Sequence, residues 1–246
     1  GQLLHLDFGT SRRIQNGMAV TRVIGDRMGV SLRLGAIAFC ISWICGIIIG
    51  VVQAAFKGKL PDWLGTAYTV VVNAVPALVM YSLVLVIGST VFGFPTLYST
   101  RNVGPSSVLP VICLSLASTA SYALWMRRYM VDELTRDYIK LAKVKGLSYS
   151  QIMFRHVLRN ALVPMVQFIP QSLLLTISGS LLMESFFSVP GMGPLLTDAV
   201  RRYDTSVVQT LVMFYAALSI VGIFLGDILM MLVDPRITIA EKGGSR

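Results

Sequence analysis

Charged residues are scarce in this sequence. Asp, Glu, Lys and Arg make up 13% of its 246 residues, whereas hydrophobic residues make up 54%. This composition excludes a disordered chain and an ordinary water-soluble domain, and it indicates a membrane protein. Acidic residues are scarcer than basic ones, with 12 Asp and Glu against 21 Lys and Arg. The basic residues lie in clusters beside apolar runs, as membrane topology signals do, so nucleic acid is not expected as a partner.

Cysteine and histidine are also rare, with three and two residues. Cys40, Cys45 and Cys113 lie inside apolar runs without metal-ligand spacing, so we expect them to be small packing residues. His5 and His156 are far apart, and no metal site is predicted. The sequence has no Gly-rich loop ending in Lys-Ser/Thr that could bind nucleotide phosphates, and no catalytic constellation. The chain is therefore not expected to be an enzyme.

Long apolar runs dominate what is present. A helix of about 20 residues, rising ~1.5 Å per residue, crosses a ~30 Å hydrocarbon core. Five runs meet this length: 34–56, 64–92, 107–126, 161–187 and 207–233. They predict an all-α, polytopic transmembrane fold over residues 34–237, followed by a short soluble tail at 238–246. Residues 1–33 are more polar and contain a segment that reads either as an interfacial amphipathic helix or as an ordinary surface helix.

Several polar or helix-breaking residues interrupt these runs. They are Asn73, Pro76, Gln167, Gln171 and Glu184. Pro76 removes one backbone hydrogen bond and predicts a kink. A carboxylate at membrane depth is energetically costly, so Glu184 is a candidate functional residue. The alternative is that Glu184, near the end of its run, reaches interfacial water. Because such residues in lipid favour a cavity, we predict that these five line a polar path, with interhelical hydrogen bonding as the alternative for each.

Two features near the C-terminal end also predict tertiary structure. Asp227 lies about two turns before the end of the last run, where it could pair with Arg127, Arg128 or Arg155. The string SVPGMGP, residues 188–194, contains two prolines and two glycines, so it is not expected to be helical throughout. We predict that it forms a turn that folds back against the outer face.

The longest polar interval, residues 127–160, separates the third and fourth runs. Apolar residues recur in it at roughly helical spacing, which predicts two short amphipathic helices broken at Gly146. A glycine at that break favours a left-handed backbone conformation, and Ser148 or Ser150 can cap the second helix. An apolar surface surrounded by lysine and arginine is typical of a docking element for a soluble partner.

This interval resembles the cytoplasmic EAA loop of ABC importer permeases, whose pattern is Glu-Ala-Ala, three residues, Gly, nine residues, Ile-x-Leu-Pro. The positions that match are Ala142, Gly146 and Leu158. The positions that depart are Lys140, His156 and Arg159. The wider strings DYIKLAKVKGLSYSQIMFRHVLRNALVP, MESFFSVPGMGPLLTDAVRRYD and VDPRI are similar to the oligopeptide, dipeptide and nickel permeases, where these departures are usual. The resemblance extends over residues 6–237.

The resemblance implies a permease subunit of an ABC importer in a bacterial or archaeal inner membrane. It implies an ATPase-coupling set of Ala142, Lys145, Gly146, Leu147, Ser148, Ile152 and Arg155. It also implies a second homologous permease, two cytoplasmic ATPase subunits and an extracytoplasmic solute-binding protein. ATP and Mg would be bound by the ATPase subunits, so no cofactor is expected in this chain. The resembling permeases have an additional span before this region, which makes the five runs five of an expected six.

The resemblance makes a di- or oligopeptide the expected substrate, with nickel or a metal chelate as a close alternative. An alternative function is that of an ion-driven secondary transporter. Such a transporter is expected to have internal repeats and charged residues near mid-membrane, and neither is evident in the sequence. A non-transporting membrane scaffold would have no ATPase partner. The eight Lys and Arg of residues 127–160, against the single Arg101 between the second and third runs, favour a cytoplasmic position for this interval and place residues 1–33 outside.

Overall fold

The computed structural model describes residues 8–233, which are helical apart from connecting turns and one isolated bridge between Thr10 and Ala19. The helices are α1 (Val20–Ala55), α2 (Leu60–Ala74), α3 (Ala77–Thr90), α4 (Val103–Leu134), α5 (Asp137–Val144), α6 (Tyr149–Gln151), α7 (Leu158–Val166), α8 (Phe168–Ser178), α9 (Leu181–Phe186), α10 (Met192–Arg201) and α11 (Thr205–Val233). A π-helical segment, Ile152–Val157, joins α6 to α7. The predicted all-α fold class is confirmed.

Within residues 8–233, four helical runs are long and apolar enough to cross a membrane. They are Val20–Ala55, Val103–Leu134, Tyr149–Phe186 and Thr205–Val233. A fifth span results if α2 and α3, which meet at a bend of 111°, are taken as one. The third of these runs is broken at Gly179, whose φ of +72° ends α8.

The α2–α3 pair runs alongside α4, as its contacts show. Near the start of α2, Asp62 bonds to Arg127 toward the C-terminal end of α4. Near the end of α3, Gly88 packs against Leu109 toward the opposite end of α4. The pair therefore follows α4 from Arg127 to Leu109 despite its bend. Pro76 produces a sharper break than the predicted kink, because it is the N-cap of a new helix and not a residue inside one.

Two helices extend beyond the apolar runs that predicted them. α1 begins at Val20, so the segment predicted as a separate interfacial or surface helix is continuous with the first span. α4 continues to Leu134, so the polar interval predicted to begin at residue 127 starts as an extension of the third span. Neither extension contains a proline, and their polar residues are compatible with a helix. The predicted tail at 238–246 lies outside the described residues.

The N-terminal segment is fixed at the end of the bundle where α11 begins. Asp204 Oδ2 accepts a hydrogen bond from the Ser11 hydroxyl at 2.6 Å and from the backbone N–H groups of Arg12, Arg13 and Ile14. Burial disfavours the charged carboxylate, but these hydrogen bonds outweigh that effect and lower the pKa of Asp204. The segment is thus attached to the bundle at the end opposite α5.

Candidate functional site

The break between α5 and α6 forms a tight turn over residues 145–148, here called the Gly146 turn. Gly146 has φ of +81°, the left-handed conformation that glycine adopts at little cost. The N–H of Leu147 bonds to the carbonyl of Ala142 at 3.2 Å, and the N–H of Lys145 bonds to the carbonyl of Leu141 at 3.0 Å. The predicted helix break at Gly146 is confirmed.

Ser148 begins the second helix of this region through a capping box. Its hydroxyl accepts from the backbone N–H of Gln151, and the Gln151 side chain accepts from the backbone N–H of Ser148 at 2.9 Å. Of the two predicted caps, Ser148 is the cap and Ser150 is not. The two reciprocal hydrogen bonds satisfy N–H groups that the helix itself leaves unpaired, so the direction of the chain after the turn is fixed.

An exposed apolar surface surrounds the Gly146 turn. Its large side chains are Leu141, Val144, Tyr149 and Phe154, of which Val144 is 85% exposed. Beneath it, a buried cluster joins this region to α4 through Ile139, Ala142, Ile152, Met153, Val157, Met126 and Met130. The Tyr149 hydroxyl also donates to the carbonyl of Ala55 at the end of α1. The surface is therefore held against the ends of two membrane helices.

The seven predicted coupling residues divide between this surface and its support. The exposed members are Lys145, Gly146, Ser148 and Arg155, and Leu147 is half-buried. Ala142 and Ile152 are buried, with exposed fractions of 6% and 1%. The two buried residues hold the surface in place and are not available to touch another protein in this structure. Their assignment to the coupling region stays a prediction.

An ion pair near this end of the molecule was not predicted from the sequence. Arg127 contacts Asp62 through two hydrogen bonds, Nε to Oδ1 at 2.6 Å and Nη2 to Oδ2 at 2.9 Å. Asp62 also accepts from the N–H of Gly58. The pair fixes the start of α2 to α4. Its only sequence signal was an acidic residue just after Pro61, at the first turn of a helix.

The predicted pairing of Asp227 with a loop arginine is wrong. Asp227 Oδ1 accepts a hydrogen bond from Gln167 Nε2 at 2.7 Å. Arg127 is paired with Asp62, and Arg128 lies over the ring of Trp125 at 5.2 Å. The physical reason is helix placement: α11 packs against α7 and α8, whereas Arg127 points toward α2.

A cavity of about 280 Å³, with both polar and apolar lining, lies between α1, α4 and α8. Its polar lining consists of Ser31, Ser42, Ser118, Tyr122, Ser172, Thr176, Ser180 and Glu184. Glu184 is 1% exposed, so the expected alternative that it reaches interfacial water is wrong. Glu184 also lines a groove on the other side, beside Arg27, Pro190 and Asp198, and it therefore separates the cavity from that groove.

The Glu184 carboxylate joins three segments of the chain. Oε1 accepts from the Ser31 hydroxyl at 2.7 Å, and Oε2 accepts from the N–H of Gly193 at 2.8 Å. Ser31 in turn accepts from the N–H of Met192. A Cβ atom at Gly191 would lie 2.5 Å from Glu184 Oε2, so this turn must be built from glycine for the carboxylate to fit. Within the predicted turn, residues 188–191 are non-helical and α10 begins at Met192.

The five predicted path residues lie in three separate places. Asn73 and Pro76 line a pocket at the bend between α2 and α3. Gln167 and Gln171 face α11, where Gly226 and Gly222 allow close approach of the helices. Glu184 lies in the cavity described above. The structure does not bring these residues together, and their path role stays a prediction.

The cysteines and possible metal ligands can now be placed. Cys113 is buried, as expected of a packing residue, whereas Cys40 and Cys45 are exposed on α1 and do not pack inside this chain. Among residues 8–233, no group of three or more His, Cys, Asp or Glu side chains could hold a metal ion.

Comparison with known proteins identifies relatives of this chain. Residues 46–239 match the family described as binding-protein-dependent transport system inner membrane component. The oligopeptide transport system permease protein AmiC of Streptococcus pneumoniae is 36% identical over 212 residues, which cover 85% of this chain and 42% of AmiC. The chain thus spans less than half the length of AmiC. The dipeptide transport system permease protein DppB of Lactococcus lactis is 33% identical over 238 residues, covering 96% of this chain and 78% of DppB.

Among solved structures, the chain is similar to one titled as inward-facing conformations of the MetNI methionine ABC transporter. The TM-score is 0.68, with 14% sequence identity, and the match covers 86% of this chain and 96% of that one. At this low identity the similarity shows a shared fold. It agrees with the helical membrane architecture described above.

Proposed function

This chain belongs to the family of binding-protein-dependent transport system inner membrane components, and from that membership we propose that it forms one half of the translocation path of an ABC importer. It is a multi-pass membrane protein with apolar helical spans. The proposed importer takes up di- or oligopeptides. The names of AmiC and DppB, an oligopeptide and a dipeptide permease, support peptides over the alternative of nickel or a metal chelate.

The observation that carries this proposal is the exposed apolar surface around the Gly146 turn. The eight Lys and Arg of residues 127–160 favour a position for this surface outside the membrane. An apolar surface there is costly to leave in water and is typical of a site for a protein partner. Here it is held against the end of α1 by the hydrogen bond of Tyr149, and against α4 by the buried cluster that contains Ile139. A force applied to this surface would therefore reach the membrane helices.

The proposed assembly contains four kinds of subunit. This chain pairs with a second homologous permease, and two cytoplasmic ATPase subunits bind ATP and Mg and dock on the Gly146 turns. An extracytoplasmic solute-binding protein delivers the substrate. In this assembly the chain itself is a transporter subunit without its own ATPase site.

The test is purification of the chain with its co-expressed neighbours, followed by reconstitution in proteoliposomes. We expect an ATP-hydrolysing subunit to copurify and its activity to rise severalfold when the binding protein and trialanine are added. Radiolabelled trialanine should enter the vesicles only with ATP, and radioactive nickel should not enter. Uptake driven by an ion gradient without ATP would support a secondary transporter, and the absence of an ATPase partner would support a scaffold. Either result contradicts the proposal.

A further inference from the structure

Three helices meet at the phenol of Tyr138. The Tyr138 hydroxyl donates to Glu133 Oε1 at 2.5 Å and accepts from Asn160 Nδ2 at 2.8 Å. Asn160 Nδ2 also lies 3.3 Å from Glu133 Oε1. Glu133 belongs to α4, Tyr138 to α5 and Asn160 to α7. We call Glu133, Tyr138 and Asn160 the Tyr138 cluster.

The surroundings of the cluster favour one fixed geometry. The Tyr138 ring lies 6.4 Å from the ring of His156, which is four residues before Asn160. Burial, and next the hydrogen bond to Glu133, raise the pKa of Tyr138 to about 12. The hydroxyl therefore stays protonated at physiological pH. A hydrogen bond from a neutral donor to a carboxylate is stronger than one between neutral groups, so the 2.5 Å bond from Tyr138 to Glu133 is the strongest in the cluster.

The position of the cluster relates the Gly146 turn to the membrane helices. α5 leads directly to that turn, and only residues 135 and 136 separate α5 from α4. α7 belongs to the next apolar run beyond the turn, Tyr149–Phe186. The cluster therefore bonds the helix before the turn to one membrane helix on each side of it. The Arg136 guanidinium lies 3.9 Å from Glu133 and adds only a weak, exposed contact.

We propose that the Tyr138 cluster is a positioning device that transmits movement of the Gly146 turn to α4 and α7. Its residues do not contact ATP or substrate; they make α5, α4 and α7 move together. This inference rests on the proposed function, because it assumes that an ATPase subunit displaces the Gly146 turn. In this arrangement the hydroxyl of Tyr138 keeps ATP hydrolysis coupled to transport.

The test compares Tyr138→Phe with Tyr129→Phe in the full reconstituted importer. Tyr138→Phe removes only the shared hydroxyl and keeps the ring against His156. Tyr129 lines a surface pocket together with the Tyr138 cluster, and its hydroxyl makes no hydrogen bond within residues 8–233, so it is a matched control. We expect Tyr138→Phe to lower trialanine uptake per ATP hydrolysed by about five- to tenfold, the scale of one ordinary hydrogen bond. The copurified ATPase should be unchanged in amount, and Tyr129→Phe should keep the wild-type ratio.

Two further variants separate the hydrogen bonds from overall charge. Glu133→Gln keeps an oxygen acceptor for Tyr138 but removes the charge that strengthens the bond, so its ratio of uptake to hydrolysis should fall less than that of Tyr138→Phe. Asn160→Asp replaces a donor with a second carboxylate beside Glu133, so its loss should equal that of Tyr138→Phe. Tyr138→Phe combined with Asn160→Asp should lower the ratio of uptake to hydrolysis no further than the more damaging of the two single variants, because both changes break one network.

The outcomes separate failure of this inference from failure of the proposed function. A wild-type uptake ratio in Tyr138→Phe overturns the role of the cluster while the importer itself stands. Loss of the copurified ATPase in that variant also overturns it, because the hydroxyl would then serve docking and not transmission. If the wild-type complex shows no response of ATP hydrolysis to the binding protein, the proposed function and this inference fail together.

Discussion

Gly146→Asp is expected to abolish transport while the permease stays folded in the membrane. Gly146 has φ of +81°, and an aspartate there is strained by about 1–2 kcal/mol. A Cβ atom at this position would meet no atom within 4 Å inside the chain, so the substitution causes no internal clash. The added carboxylate instead projects from the surface on which the ATPase subunit is proposed to dock. We expect uptake of trialanine to fall at least a hundredfold, at a normal level of membrane-inserted protein.

The matched control is Gly93→Asp. Gly93 also has positive φ, +69°, and a Cβ atom there would likewise meet nothing within 4 Å. It lies in the turn after α3, at the other end of the molecule, so the same strain is introduced away from the Gly146 turn. Uptake and thermal stability are measured for both variants. Wild-type uptake by Gly146→Asp, or an equal loss in both variants, would count against a coupling role for the turn.

Glu184→Ala is expected to destabilise the folded protein strongly. It leaves the Ser31 hydroxyl and the Gly193 N–H without their carboxylate acceptor. Each buried donor without an acceptor costs about 1–3 kcal/mol, and the removed side chain also leaves a void. We expect the free energy of unfolding to fall by about 3 kcal/mol or more. The measurement is the thermal unfolding of detergent-purified protein, followed by the fraction that stays monodisperse.

Two milder variants test whether the hydrogen bonds are the cause. Glu184→Gln keeps one oxygen acceptor but places an amide donor against one of the two donors, so an intermediate loss is expected. Ser31→Ala should cost less than Glu184→Ala, and the two together should cost less than the sum, because they share one hydrogen bond. Equal melting temperatures for wild type and Glu184→Ala would show that this carboxylate does not join α1 to the start of α10.

Local chemistry is what the sequence predicted best. Gly146 and Ser148 were identified because a left-handed residue and a helix cap depend on neighbouring residues, and both are found as expected. The apolar runs likewise predicted an all-α membrane fold, because crossing a bilayer is a matter of length and hydropathy, and four helical runs within residues 8–233 have both. Helix ends were less predictable, since the polar extensions of α1 and α4 stay helical outside the apolar runs.

Contacts between distant residues could not be read from the sequence. The pairing of Asp62 with Arg127 depends on where α2 lies along α4, and the partner of Asp227 depends on which helices flank α11. Glu184 was singled out because a carboxylate in an apolar run is unusual. Its partners Ser31 and Gly193 are set by the fold, and the sequence alone did not indicate them.

Photo-crosslinking from two equally exposed positions tests the central claim most directly. Val144, beside the Gly146 turn, is 85% exposed, and Tyr203, at the opposite end of the bundle, is 86% exposed. A photoreactive phenylalanine analogue is placed at each position in the assembled complex within intact cells. We predict that position 144 captures the ATP-hydrolysing subunit and that position 203 does not. Capture of that subunit from position 203, or its absence at position 144, would contradict the assignment of the Gly146 turn as the place where ATP hydrolysis drives this protein.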